Sequence, residues 1–260
     1  MPWIEVNGVS LRYELSGEGR LLVLSNEMAG MIESWDGVMA ALPAGFRVLR
    51  YDQRGFGLSE KRSDFTLDDH VADLAALLDA VVPGEPAIIA GCAIGASIAL
   101  SLAVRQPMRV AALVLASPAI GGMPDVAREA MRQRMDVVRE NGVRAVTDLM
   151  FTFTYPEALS NCTDIAEAHK LRWLSAGRAA FVRVNEMVAE YDLGPELERV
   201  ECPTLVLGSI HDKIRPVEAC RAIADKIPRS SFDTIDAAHF ASIQNAVAFA
   251  KAIVDFVARR

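Results

Sequence analysis

Residues 3–15, WIEVNGVSLRYEL, alternate apolar and polar side chains on either side of Asn7-Gly8. That pattern predicts two short strands joined by a type I′ turn. Continuous apolar runs follow: RLLVLS (20–25), FRVLRYD (46–52), PAIIAG (86–91), VAALVLAS (110–117) and PTLVLGS (203–209). Such runs, bounded by turn residues, suit strands covered on both faces. Between them the apolar period lengthens. TLDDHVADLAALLDAVV (66–82) repeats apolar residues at i, i+3, i+4 and i+7 behind a threonine cap with acids in its first turn. IESWDGVMAAL (32–42), ASIALSLAVRQ (96–106) and PVEACRAIADKI (216–227) also carry helical spacing. A short strand, SFDTID (231–236), precedes a closing helix that runs from residue 240 to the end.

Strands alternating with helices predict an α/β fold with parallel strands and right-handed crossovers. The alternation stops after Pro118 and resumes at Pro203. Between them lie charged amphipathic helical patterns, such as DVAREAMRQRMDVVRENG (125–142) and IAEAHKLRWLSAGRAAFVRVNEMV (165–188). Residues 1–120 and 186–260 therefore read as one core, and residues 121–185 as a helical cap inserted in it.

Composition narrows the function classes. At 260 residues with 52% hydrophobic and 23% charged side chains, one large globular domain is expected. A net charge of -7 with scattered cations argues against nucleic acid or an anionic membrane as partner. No apolar run reaches the ~20 residues of a spanning helix, and the first residues lack a signal-peptide pattern. Cys92, Cys162, Cys202 and Cys220 have no C-x-x-C pairing and read as reduced thiols, fitting the cytoplasm. The histidines, His70, His169, His211 and His239, form no metal motif, so neither metal nor organic cofactor is expected. Self-association is left open.

The chemistry centres on GCAIG, residues 91–95. It has the shape of a G-x-S-x-G elbow, in which a serine is thrust up on a tight strand-to-helix turn, but its middle residue is Ala93. Two further groups follow strands: Asp212 after TLVLGSIH and His239 within IDAAHF. In a parallel sheet these turns share the carboxyl edge, where ligands bind. Asp192, Asp233 and Asp236 are rival acids. LASPAI (115–120) offers no carboxylate after the strand before the cap, which favours Asp212. Cys92, Ser97 and Ser25 lie near the missing oxygen but are poorly placed to replace it.

Chain order nucleophile, acid, histidine resembles the α/β-hydrolase superfamily over nearly the whole length. LVLSNEMAG (22–30), YDQRGFGLSE (51–60), CPTLVLGSIHDKIRP (202–216) and AAHFASIQN (237–245) resemble its 3-oxoadipate enol-lactonase-like group, in which Ser-Asn stands where many relatives have His-Gly. The resemblance implies a mostly parallel eight-stranded sheet flanked by helices, and a Ser-His-Asp acyl-enzyme mechanism with the serine at position 93. His239 would be the base, Asp212 its orienting acid, and the amides of Glu27 and Ile94 the oxyanion hole. Asn26 and Met28 would then meet substrate, a small carboxylated lactone, ester or amide derived from aromatic catabolism.

Within the cap, Trp173 is the first choice of cleft-lining residue, with Arg172 or Arg178 as the clamp for a substrate carboxylate. Ala93 is read first as a deliberate replacement of serine that holds ligand without turnover. The alternatives are a carbon-carbon bond hydrolase, a cofactor-free dioxygenase or lyase working with the His239–Asp212 pair alone, and a non-catalytic ligand-binding receptor.

Overall fold

The computed structural model describes residues 2–159 and 163–259; Cys162 lies outside them. Eight strands form one sheet: β1 (Trp3–Val6), β2 (Val9–Gly17), β3 (Gly19–Ser25), β4 (Gly45–Tyr51), β5 (Ala87–Cys92), β6 (Val110–Ala116), β7 (Thr204–Ser209) and β8 (Ser230–Ile235). Their spatial order is β1-β2-β4-β3-β5-β6-β7-β8. β1 pairs antiparallel with β2, and β2 antiparallel with β4. The remaining pairings are parallel. The first hairpin turns where its sequence says it should: Asn7 and Gly8 both take positive φ, at 50° and 68°, as a type I′ turn requires.

Every residue of β5 and of β7 is buried, which explains their unbroken apolar sequences. One face of the sheet packs against α2 (Leu67–Val81), α3 (Ile94–Arg105) and α8 (Val217–Lys226). The other packs against α1 (Asp36–Ala41), α9 (Ala241–Gln244) and α10 (Ala246–Ala258), with Trp35 and Phe249 meeting at 5.8 Å between ring centroids. Thr66 caps α2 reciprocally with Asp69, as the threonine-plus-acid pattern anticipates. Two helices differ from their sequence patterns. The segment at 32–42 begins as a 3-10 turn (Ile32–Trp35) before α1. The closing helix is broken at Asn245, whose non-helical backbone lets its side chain accept from the Ala248 N–H and restart the chain as α10.

Four helices, α4 (Asp125–Asn141), α5 (Arg144–Thr154), α6 (Thr163–Ser175) and α7 (Arg178–Glu190), leave the sheet after β6 and return to it before β7. α7 continues to Glu190, so the helical region passes residue 185, where the apolar pattern alone placed its end. Its two roots lie side by side. Gly121 bridges antiparallel to Asp192, the Leu193 amide donates to the Ile120 carbonyl at 2.8 Å, and the Gly122 amide to that of Tyr191 at 3.0 Å. The Tyr191 hydroxyl donates to the Ala119 carbonyl at 2.6 Å, and the Ala119 amide in turn to the carbonyl of Ala93 at 3.2 Å.

Candidate active site

Position 93 sits between the end of β5 and the start of α3 with φ 50° and ψ −113°. A left-handed backbone at a residue with a Cβ is strained by about 1–3 kcal/mol and persists only where its surroundings dictate it. Here they do. The Ala93 amide donates to the Ala116 carbonyl on β6 at 3.0 Å, and its carbonyl accepts from Ala119 and from Ser97 in α3. The two flanking glycines allow the tight approach. A Cβ on Gly91 would collide with the Gly95 backbone, and one on Gly95 with the carbonyl oxygens of Ser25 and Asn26. The elbow is thus pressed against the loop that follows β3, and the first turn of α3 directs its unbonded amides and dipole at the space above Ala93.

Asp212 follows β7, and His239 follows β8. The His239 Nδ1–H donates to Oδ2 of Asp212 at 2.8 Å. Oδ1 of Asp212 accepts from the amides of Ile214 at 2.7 Å and Arg215 at 2.8 Å. Burial raises the Asp212 pKa, but the hydrogen bond and charge of His239, the Arg215 amide and the Ser117 hydroxyl outweigh it and hold the carboxyl below its ordinary value. Asp212 is therefore an acceptor that fixes the histidine tautomer and leaves Nε2 free. His239, Ala93 and Ile94 share one cavity of about 360 Å³. The rival acids have other work. Asp236 pairs with His211 at 3.0 Å, Asp192 caps the Gly194 amide at 2.8 Å, and Asp233 is exposed on the edge strand.

No neighbouring side chain supplies the absent oxygen. Cys92 is buried in the sheet, which pushes its thiol up to about 12. Ser97 Oγ donates to the Ala119 carbonyl at 2.5 Å and lies 3.1 Å from the Tyr191 hydroxyl oxygen. Ser25 Oγ faces the Tyr51 hydroxyl at 3.4 Å.

The cavity's wall is mostly apolar, with Met28, Met123, Met131, Phe153, Trp173 and Phe240 prominent. Met28 and Trp173 thus lie where their sequence positions suggested, but several of their companions do not. Asn26 is fully buried and braces the loop: it accepts from Trp35 Nε1 at 2.6 Å and donates to the Tyr51 carbonyl at 2.6 Å. Arg172 lines a separate cleft and reaches the Glu33 carbonyl at 3.4 Å. Arg178 is exposed and donates to the Arg139 carbonyl at 3.0 Å. The arginines in the cavity are Arg134 of α4 and Arg215.

Glu27 holds a second surprise. Its side chain turns away from the cavity and is fully buried. Burial raises its pKa, against hydrogen bonds from its own amide and from Ser34, whose Oγ donates to Oε1 at 3.0 Å. Beyond it lies His169 on α6, whose Nδ1 is 2.9 Å from the Tyr155 hydroxyl. Burial first, then the charges of Arg172 and His239, lowers His169 to about 3, so it is neutral. His70, also lowered to about 3 by burial, packs edge-on against Phe65 and has a structural setting.

The sequence profile of the serine aminopeptidase S33 family matches residues 21–240. The chain belongs to this family. The α/β-hydrolase fold extends over the whole molecule: a solved enol-lactonase from Burkholderia xenovorans LB400 superposes with TM-score 0.91, at 28% identity, over 99% of this chain and all of that one. A thermophilic esterase from Thermogutta terrifontis, solved with malate bound, gives TM-score 0.92 at 26% identity, over all of this chain and 99% of that one. Among curated relatives, a putative carbamate hydrolase, RutD, from Variovorax paradoxus is 28% identical over 96% of each chain. The 3-oxoadipate enol-lactonase 2 of Acinetobacter baylyi is 27% identical over 94% of this chain and 92% of its own. The chain is thus an α/β-hydrolase close to the enol-lactonase and carbamate hydrolase relatives. Among the described residues of this α/β-hydrolase, no helix is long and apolar enough to cross a membrane, and no group of three His, Cys, Asp or Glu side chains could hold a metal.

Proposed function

We propose that this α/β-hydrolase is built for acyl-enzyme hydrolysis of a small carboxylated lactone, ester or amide, with its nucleophile belonging at position 93. One observation carries the reading. A residue with no reactive atom keeps the strained elbow backbone, at φ 50°, in the same cavity as a histidine already oriented by a buried aspartate. With serine at 93, His239 Nε2 takes the hydroxyl proton as Oγ bonds the substrate carbonyl carbon. The resulting oxyanion meets the amides of Ile94 and Glu27. Collapse expels the alcohol or amine, which leaves with the proton from His239. Water, deprotonated by the same histidine, then releases the acid and restores serine. With alanine the first bond cannot form, so this form binds substrate without turning it over.

The names of the relatives support the substrate class: an enol-lactonase, a carbamate hydrolase and an esterase with malate bound all fall within acyl transfer to water. A ring-derived lactone fits the apolar, aromatic wall of the cavity. A second reading is favoured by Ala93 itself: the His239–Asp212 pair works as a general base without a covalent intermediate, in a lyase, a carbon-carbon bond hydrolase or a cofactor-free dioxygenase.

Ala93→Ser separates the two. Hydrolysis of p-nitrophenyl acetate, a neutral ester, is expected to rise by about 10³–10⁶-fold, because a triad acts as a unit. A folded Ala93→Ser protein with no gain overturns the acyl-enzyme reading.

A further inference from the structure

Three residues that line the cavity carry hydrogen-bond donors with no partner among the described residues. Trp173 is 1% exposed, yet its Nε1–H has no acceptor among the described residues. Nε of Arg215 is equally buried and equally without a partner. Arg134, half-buried on the face of α4 that carries Met131 and Ala130, makes no ion pair or hydrogen bond through its guanidinium among the described residues. Arg215 makes no ion pair either. Arg12, Arg47, Arg50, Arg54, Arg105, Arg109 and Arg183 all meet carboxylates, whereas Arg134 and Arg215 line the cavity without one. A buried donor without an acceptor costs about 1–3 kcal/mol. Two such donors and the half-buried, unpaired guanidinium of Arg134, all on residues that line one apolar cavity, mark the places of missing acceptors.

The remaining polar side chains of the cavity are already engaged. Asn185 donates to the Phe181 carbonyl at 2.8 Å and contacts Met28 Sδ at 3.1 Å. His239 is held by Asp212. The unmet demand is therefore for acceptors only, and two of its three sources are cations. We infer that Arg134 and Arg215 together bind the carboxylate of the ligand, and that Trp173 Nε1–H donates to a further oxygen of the same molecule. The site rests on the proposed function only for what happens next to the ligand; its own logic is the donor set.

The arrangement also has a geometric consequence. Arg134 stands on the cap, whereas Arg215 stands on the core, three residues beyond the acid that orients His239. A carboxylate shared by both joins the two bodies across the cavity. Its charge replaces the water that otherwise solvates two cations, and guanidinium–carboxylate pairs in such half-buried settings are strong and planar. The rest of the molecule then lies along the methionine and aromatic wall toward Ala93. An uncharged lactone or a longer acyl chain leaves both guanidiniums unmet and binds weakly for that reason.

Calorimetry on the unmodified chain tests this without any turnover, using 4-phenylbutyrate against 4-phenylbutyramide, which differ in charge and hardly in shape. The carboxylate is expected to bind at least about tenfold tighter, with an advantage that shrinks as salt rises. Arg134→Met and Arg215→Met should each remove about tenfold or more from carboxylate affinity and leave the amide unchanged. Trp173→Phe should weaken both ligands, since it deletes a donor to neutral and charged oxygens alike. Arg178→Met, outside the cavity, should change neither. Equal binding of the two probes by the unmodified chain overturns the inference whether or not any variant folds. So does a carboxylate preference that survives both arginine substitutions in proteins with unaltered thermal melts. The hydrolase reading is judged separately by Ala93→Ser on a neutral ester, so the failure of one is distinguishable from the failure of the other.

Discussion

Oε1 of Glu27 lies 3.7 Å from Nε2 of His169, with both side chains fully buried, one on the core loop after β3 and the other on the cap. Two buried polar atoms here, Glu27 Oε2 and His169 Nε2, have no hydrogen-bond partner among the described residues. Since His169 is neutral, no full positive charge from it compensates the carboxylate, and burial drives Glu27 toward its protonated form.

A raised carboxyl pKa makes the folded state the better proton binder. Its contribution is therefore whole below the unfolded-state pKa and is lost as pH rises toward the folded value. Glu27→Gln cannot titrate and keeps both an acceptor for Ser34 and a donor for His169. Its thermal melt should match that of the parent near pH 4 and exceed it increasingly as pH rises above the ordinary carboxylate range. Parallel melting curves across that rise in pH would show that Glu27 is ionised throughout.

Ala93→Gly tests the elbow strain. Glycine occupies φ 50° with little steric cost, so the variant should gain about 1 kcal/mol, visible as a rise of about 2–4 °C in Tm. A lower Tm would mean that loss of the methyl group outweighs the relief.

Gly95→Ala is expected to do the opposite. The new methyl group overlaps the Ser25 and Asn26 carbonyl oxygens, backbone atoms that cannot swing aside. A loss of about 2–4 kcal/mol in denaturant unfolding is expected, by the overpacking that close-packed interiors do not absorb. An unchanged midpoint would place the loop after β3 further from α3 than described above.

In the Ala93→Ser background, Asp212→Asn should lower the recovered esterase rate by about 10⁴-fold, because the amide stabilises the wrong histidine tautomer. Adding His239→Ala to that variant should cost little more, as the members act together. Additive losses, read from the rates of single and double variants, would argue that the two residues serve separate steps.

The central strands, such as β5 and β7, were readable because parallel strands buried on both faces have little choice but to be apolar, whereas β1 and β2 showed through their alternation around Asn7-Gly8. The Asp212–His239 contact was readable for a related reason: both residues follow strands, and strand ends converge. The cap was harder. Trp173 and Arg172 are adjacent, so on α6 they diverge by about 100°, and one faces the cavity while the other faces Glu33. Nothing in a helical pattern fixes which stripe of a mostly polar helix turns inward when neighbours cover it from several sides. The spacing of Ala127, Met131 and Arg134 on α4 was the available signal for a cavity-facing arginine. It was obscured by the acidic and basic side chains that pair along the same helix, Arg128 with Asp125, Arg132 with Glu129 and Arg139 with Asp136. Arg215 sat in a turn-rich segment that looked merely connective, and the burial of Glu27 follows from a tertiary contact with His169, more than a hundred residues away.

The paired roots of the cap carry a last implication. Because residues 120–122 are stitched to residues 191–193, the sheet sees the four intervening helices as a loop whose mouth is already closed. The entropy of joining those ends grows only slowly with what lies between them, so a longer, shorter or quite different set of helices can be carried with small effect on the sheet. These four helices can therefore change while the elbow, Asp212 and His239 stay in register. Yet the stitch ends on the Ala93 carbonyl. A shift of the cap root therefore pulls directly on position 93, so that under the proposed function substrate choice and nucleophile placement share a mechanical anchor.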